Sequence, residues 1–269
     1  MTTKNVGGWS PVAMSDAVAP GAVLRVVVEG RDIVVWRGND GAARAWENRC
    51  PHRGMRLSYG FVRGNRLTCL YHGWGYDGQG SCISIPAHPA LTPPKTIKVA
   101  RYDCAEAAGL LWVAAQGTND PLRDPGGSWL AVQSIDIALP LDEVRSAVSQ
   151  AEPPSDEDDG FPRPGGGDAA PPAFLQETLV NGAESAGSLL MFDDVRFGRK
   201  VLCALQAVGD DQTALHLLVS AEGDGADGAV RRAYARWGRR FRRGAGATER
   251  SSHRVVSATA AERHARPMA

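Results

Sequence analysis

Two short segments constrain this 269-residue chain more than any other feature: Cys50-Pro51-His52 and, sixteen residues on, Cys69-Leu70-Tyr71-His72. Each supplies one thiolate and one imidazole from a tight loop, Cys50-Pro51-His52-Arg53-Gly54 and Cys69 to Trp74. Two such loops at the tips of adjacent hairpins can grip one object from two sides. The four side chains suit a single Zn²⁺. They equally suit a [2Fe–2S] cluster with both cysteines on one iron and both histidines on the other. The spacing favours the cluster, because structural zinc knuckles use C-x2–4-C and H-x3–5-H, not C-x-H. Cys50, His52, Cys69 and His72 are therefore the predicted ligands, and one [2Fe–2S] cluster per chain is the predicted cofactor.

The surrounding sequence reads as mainly β. Val23–Val28 and Ile33–Trp36 are strand-like runs divided by Glu29-Gly30-Arg31-Asp32, a hairpin signal. Asn39-Asp40-Gly41, Gly64-Asn65 and Asp77-Gly78-Gln79-Gly80 mark further turns, and Thr96–Tyr102 and Leu110–Ala114 close the region. Short strands with Gly-rich turns predict a small sandwich over 1–118. Residues 119–150 read as a connecting segment, with a strand at Ile135–Leu139 and a helix at Leu141–Ser149. Proline, glycine and acid dominate 151–172, which predicts a disordered linker. Order returns over 173–245 as a small α+β lobe, with strands at Ser188–Phe192, Lys200–Val208 and Ala214–Val219. Its helix, Ala229–Arg243, aligns Val230, Ala233, Tyr234, Trp237 and Phe241 on one stripe. Residues 246–269 read as a loose tail.

The stretch Trp9–Ala114 resembles the Rieske domain of the non-haem iron oxygenases that hydroxylate aromatic rings or demethylate. The matching residues are Trp9-Ser10-Pro11-Val12, Glu47-Asn48-Arg49, the two ligand loops and Tyr76-Asp77-Gly78-Gln79-Gly80. Ile85-Pro86-Ala87-His88-Pro89 and Gly109-Leu110-Leu111-Trp112-Val113 also fit. The resemblance implies a β-sandwich with the cluster at the tip of two loops, followed by a reduced α+β, oxygenase-like lobe. It implies Cys50 and Cys69 on the buried iron, His52 and His72 on the outer one, and Arg53 and Trp74 screening the group. Met55 and Tyr71 stand where the respiratory type carries a disulfide. Fewer hydrogen bonds to the sulfurs then place the potential at the low end of the Rieske range, roughly −150 mV. A ferredoxin or flavin reductase would donate electrons, an oxygenase subunit could accept them, and the chain could form an oligomer.

The same family carries a mononuclear Fe(II) site, usually D-x2-H with another His four or five residues later. That pattern is absent: besides the expected ligands the histidines are His88, His216, His253 and His264, and no pair among them has that spacing. The expectation is a shortened lobe without mononuclear Fe(II), and a function of one-electron transfer. An alternative is an active monooxygenase with a rebuilt triad from His88, His216 and Glu177 or Glu184. Another is a degenerate protein whose cluster is structural or regulatory. His216, among Leu215, Leu217 and Leu218, reads as a core residue, as do Cys82, Cys104 and Cys203 as small apolar groups.

Lys+Arg and Asp+Glu both number 30, which argues against a nucleic-acid coat or a polybasic membrane binder. The arginines of the 229–243 helix read as a solvated face. No run of 18 apolar residues occurs, and Met1–Ser10 lacks a signal-peptide pattern. A cytoplasmic protein is the expectation.

Overall fold

The computed structural model describes residues 8–114, 121–122, 124–154, 178–179, 189–194, 196–223 and 225–244. The expected tail and most of the expected linker lie outside these, as do Glu177, Glu184, His253 and His264. The chain forms two compact units. One takes the described residues of Ser15–Ala105 and Val113–Gly117, the other those of Met1–Met14, Glu106–Trp112 and Thr118–Arg250. Among the described residues no helix is long and apolar enough to cross a membrane.

In chain order the strands before residue 115 are β1 (Ser10–Met14), β2 (Val23–Val28), β3 (Arg31–Arg37), β4 (Ala43–Glu47) and β5 (Phe61–Arg63). β6 (Arg66–Thr68), β7 (Gly75–Tyr76), β8 (Cys82–Ser84), β9 (Arg101–Ala107) and β10 (Leu110–Ala114) follow. In the first unit β2, β3 and β4 form an antiparallel meander, with β9 beside β4. The β2–β3 turn puts Glu29 and Gly30 at φ of 51° and 74°, the primed geometry that matches strand twist. A smaller antiparallel sheet runs β5-β6-β7-β8, with Leu67 opposite Tyr76. Trp36, Trp46, Leu57, Leu67, Tyr76, Cys50 and Cys69 share one buried core. Trp36 and Trp46 meet edge to face, their centroids 4.9 Å apart, as ring quadrupoles favour. The first ligand loop follows β4, and the second joins β6 to β7.

The second unit is built on β11 (Trp129–Ile137), α1 (Leu141–Ser149), β12 (Thr178–Leu179), β13 (Leu189–Asp194), β14 (Arg199–Gly209), β15 (Gln212–Ser220) and α2 (Asp227–Gly244). Its sheet has the order β11-β15-β14-β13-β12, every pair antiparallel. Val201, Cys203 and Leu205 face a core closed by Val144 and Val148 of α1 and by Val230, Tyr234 and Trp237 of α2. Leu202, Ala204 and Leu218 pack on the other face with Met14, Leu110 and Trp112. Both faces are covered, so β14 and β15 are apolar without alternation. β11 and α1 belong to this unit, although the sequence reads their region only as a connection. Ile135 and Ile137 enter the helix-side core, and Asp142 and Glu143 sit in the first turn of α1, where the helix dipole favours them.

Candidate metal centre

The two loops share one backbone design. In the first, Cys50 N–H donates to Met55 O (2.8 Å) and Gly54 N–H to Cys50 O (2.8 Å). In the second, Cys69 N–H donates to Trp74 O (2.9 Å) and Gly73 N–H to Cys69 O (3.0 Å). The offsets from each cysteine are identical, yet the histidine falls two residues after Cys50 and three after Cys69. Gly54 and Gly73 have φ of 73° and 69°, a region glycine enters without a Cβ clash. At Gly73 a Cβ would also stand 2.9 Å from Pro86 Cγ. The segment holding His88 thus approaches the second loop through Pro86, while His88 itself is exposed.

Asn48 clamps the base of the first loop. Its Nδ2 donates to Asp32 Oδ1 and to Ser58 Oγ (2.9 Å each), and its Oδ1 accepts from Ser58 N–H (2.7 Å). Asp32 also accepts from Arg25 (2.7 Å) and Arg56 (3.0 Å). Partial burial works against the Asp32 carboxylate, but the hydrogen bonds from Asn48 and Arg25 and the nearby guanidinium charges hold its pKa below the usual value.

The loops bring Cys50 and Cys69 into one buried core. The neighbouring Cys69 thiol, helped by the Tyr76 hydroxyl and the N–H groups of His52 and Arg53 and opposed by burial, lowers the Cys50 thiol to about 5. Cys69 is pushed up by the neighbouring Cys50 and by burial, while the N–H groups of Tyr71 and His72 oppose the rise. Converging N–H dipoles of this kind make a nest for negative sulfur. Tyr76 OH lies 3.1 Å from Cys50 Sγ. Burial, then the contact with Cys50, holds its phenol well above the ordinary range, so it remains a protonated donor. Sequence reasoning missed this hydroxyl and anticipated few hydrogen bonds to the sulfurs. Tyr76 lies on β7 opposite Leu67 and shares a core with Cys50, a placement set by strand pairing and packing and not by local spacing.

The imidazoles of His52 and His72 meet with centroids 4.5 Å apart. Trp74 stacks on His52 at 4.2 Å with an interplanar angle of 6°, and Tyr71 lies 3.8 Å from the His72 ring. His52 is half-buried, whereas His72, Leu70 and Tyr71 are exposed. Arg53 is exposed beside the loop. His52 Nδ1 is buried and has no hydrogen-bond partner. A buried nitrogen left in this state is costly unless something binds it. Among the described residues no three His, Cys, Asp or Glu side chains gather as a single-ion site would need. One sulfur pair and one imidazole pair fit a two-iron group with two protein ligands per iron. They do not fit one zinc ion held by all four.

Of the remaining candidates, Cys82 packs in the same core as Cys50 and Cys69, and His216 and Cys203 belong to the second unit. His216 is buried on β15, its Nδ1 2.8 Å from Ser134 Oγ on the neighbouring β11. No disulfide joins any of the five cysteines, all of which are among the described residues, and Cys203 sits in the core of the second unit.

Residues 8–102 match the family described as the Rieske [2Fe-2S] domain. The oxidoreductase NdmD of Pseudomonas putida is 37% identical over 158 residues, covering 56% of this chain and 27% of that protein. A 3-chlorobenzoate-3,4-dioxygenase oxygenase subunit of Comamonas testosteroni is 36% identical over 107 residues, covering 39% and 25%. The matches thus span about a quarter of the length of these relatives. The crystal structure of apo dicamba monooxygenase aligns with TM-score 0.65 at 16% identity, covering 91% of this chain and 86% of that one. Residues 8–102 are thus a Rieske [2Fe–2S] domain, joined in this chain to a sheet-and-helix lobe with the fold of the Rieske oxygenases.

Proposed function

We propose that the chain is a Rieske-type oxidoreductase whose activity is one-electron transfer. Cys50 and Cys69 would hold one iron of a [2Fe–2S] cluster, and His52 and His72 the other. The observation that carries this reading is the buried, unpartnered His52 Nδ1, in a ring 4.5 Å from that of His72. The cluster, when bound, supplies a centre that gains and loses one electron.

The protein's own residues do the rest. Backbone N–H groups point at both sulfurs, those of His52 and Arg53 at Cys50 and those of Tyr71 and His72 at Cys69. Tyr76 keeps its proton and directs it at Cys50. Trp74 fixes the plane of His52 and covers one face of it. His72 offers an exposed imidazole edge to a partner. By analogy with the relatives, a ferredoxin or flavin reductase would be the donor, and an oxygenase subunit the acceptor.

The test is a redox titration of anaerobically prepared protein, with a His72→Cys variant beside it. Reversible uptake of one electron, with a lowered potential when thiolate replaces imidazole, is the expected result. A wild-type chain that carries no redox-active iron would overturn the reading.

A further inference from the structure

Residues 15–105 carry twelve Arg and Lys against seven Asp and Glu, in a chain whose overall totals are equal. Part of that excess collects in one place. An open cleft of about 350 Å³ beside the first ligand loop is lined by Arg49, Arg53 and Lys98, with Glu47 as its acid. Cys50 and His52 belong to the same lining. Two acids elsewhere in this unit are held in ion pairs, Asp32 with Arg25 and Arg56 and Asp40 with Arg44. Arg49, Arg53 and Lys98 are exposed and make no ion pair among the described residues. Three cations against one carboxylate around a recess leave a net positive potential that raises the encounter rate with anions.

We propose that this cleft is the docking site of an acidic protein that exchanges electrons with the chain, its surface carboxylates seating on Arg49, Arg53 and Lys98. The proposal rests on the electron-transfer reading above and adds the partner's chemistry and its position. Docking there sets the partner against His52. In the exchange the partner loses one electron and the chain gains it, with no bond made or broken. A nucleic acid fits less well. The lining contains no Trp, Tyr or Phe on which bases stack, and three cations do not make the extended basic track that a phosphate backbone follows.

The experiment has two readouts. In the first, the reduced holoprotein is oxidised by anionic iron(III)–EDTA and, separately, by cationic hexaammineruthenium(III), at low and high salt. The variants are Arg49→Glu/Arg53→Glu and Lys98→Glu, the latter outside both ligand loops. Charge reversal is expected to slow the anionic oxidant about tenfold at low salt and to speed the cationic one. Both effects should fade at high salt as screening shortens the field. A shift in driving force would move both rates the same way, and that outcome overturns the proposal. The second readout is calorimetric binding of a polyglutamate peptide at low salt. It is expected for the wild type and for Arg49→Lys/Arg53→Lys, and lost in the charge reversals. Equal binding by all variants, or tighter binding of a single-stranded oligonucleotide than of polyglutamate, overturns it. If no cluster assembles, the electron-transfer reading falls and this proposal with it. If the cluster is present and rates and binding ignore the charges, only the docking site falls.

Discussion

The Tyr76 hydroxyl lies 3.1 Å from the Cys50 sulfur, and the residue is fully buried. A donor aimed at sulfur favours whichever state of the centre carries more negative charge, which is the reduced one. A hydrogen bond to a charged group is worth about 1.5 kcal/mol, or roughly 60 mV for one electron. Both redox states feel part of it, so Tyr76→Phe should lower the potential by some tens of mV; potentiometry reads this directly. Asn48 is the second residue with a large individual effect. Asn48→Ala would leave the Ser58 N–H and the Asp32 carboxylate short of a partner, at a cost of about 2–3 kcal/mol, measurable by urea unfolding. The four predicted ligands were legible because their information is local: residue type and spacing within two loops. Tyr76 and Asn48 were legible only as pieces of a resemblance. Their roles depend on which strands pair and on a contact to Asp32, sixteen positions before Asn48.

At the scale of elements, Asp32 ties the β2–β3 hairpin to the first ligand loop through Asn48 and Arg56. Its pKa is lowered in the fold, so its contribution is complete above the unfolded value, about 3.9. That contribution fades as pH falls through the folded value. Asp32→Asn should therefore be less stable than wild type at pH 7, and the gap should shrink below about pH 4; urea midpoints at pH 7 and pH 3 test this. In the second unit, Trp237 of α2 is buried, stacks on Phe241 at 5.3 Å, and donates from Nε1 to Glu152 O (2.6 Å). Trp237→Ala should cost about 3–5 kcal/mol, read by hydrogen exchange in β14 and β15. The α2 stripe was visible in the sequence because a helix with one solvated face has a 3.6-residue period. The placement of β11 was not. Only Ile135, Asp136 and Ile137 at its end are buried, and the acid between the two isoleucines masks the apolar signal; its partner β15 lies some eighty residues away.

For the molecule as a whole, the balanced charge total conceals an uneven distribution, with the ligand-bearing region cationic and the remainder acidic. A centre whose four ligands come from two loops also links folding to cofactor. Binding energy at such a site is folding energy, so stripping the iron should lower the melting temperature and deprotect amides between Cys50 and Trp74 first. The fold of the second unit was legible as strands and a helix. Its likeness to the oxygenase fold is seen in the superposed backbones at 16% identity, a level that a sequence read strand by strand does not display. The central claim is that Cys50, His52, Cys69 and His72 hold one two-iron, two-sulfide cluster. The most direct measurement is iron, zinc and acid-labile sulfide per chain on anaerobically purified wild type and Cys50→Ser. Two irons and two sulfides in the wild type, with both lost in the variant, is the predicted result. A single metal ion without sulfide, or a cluster indifferent to Cys50, would contradict it.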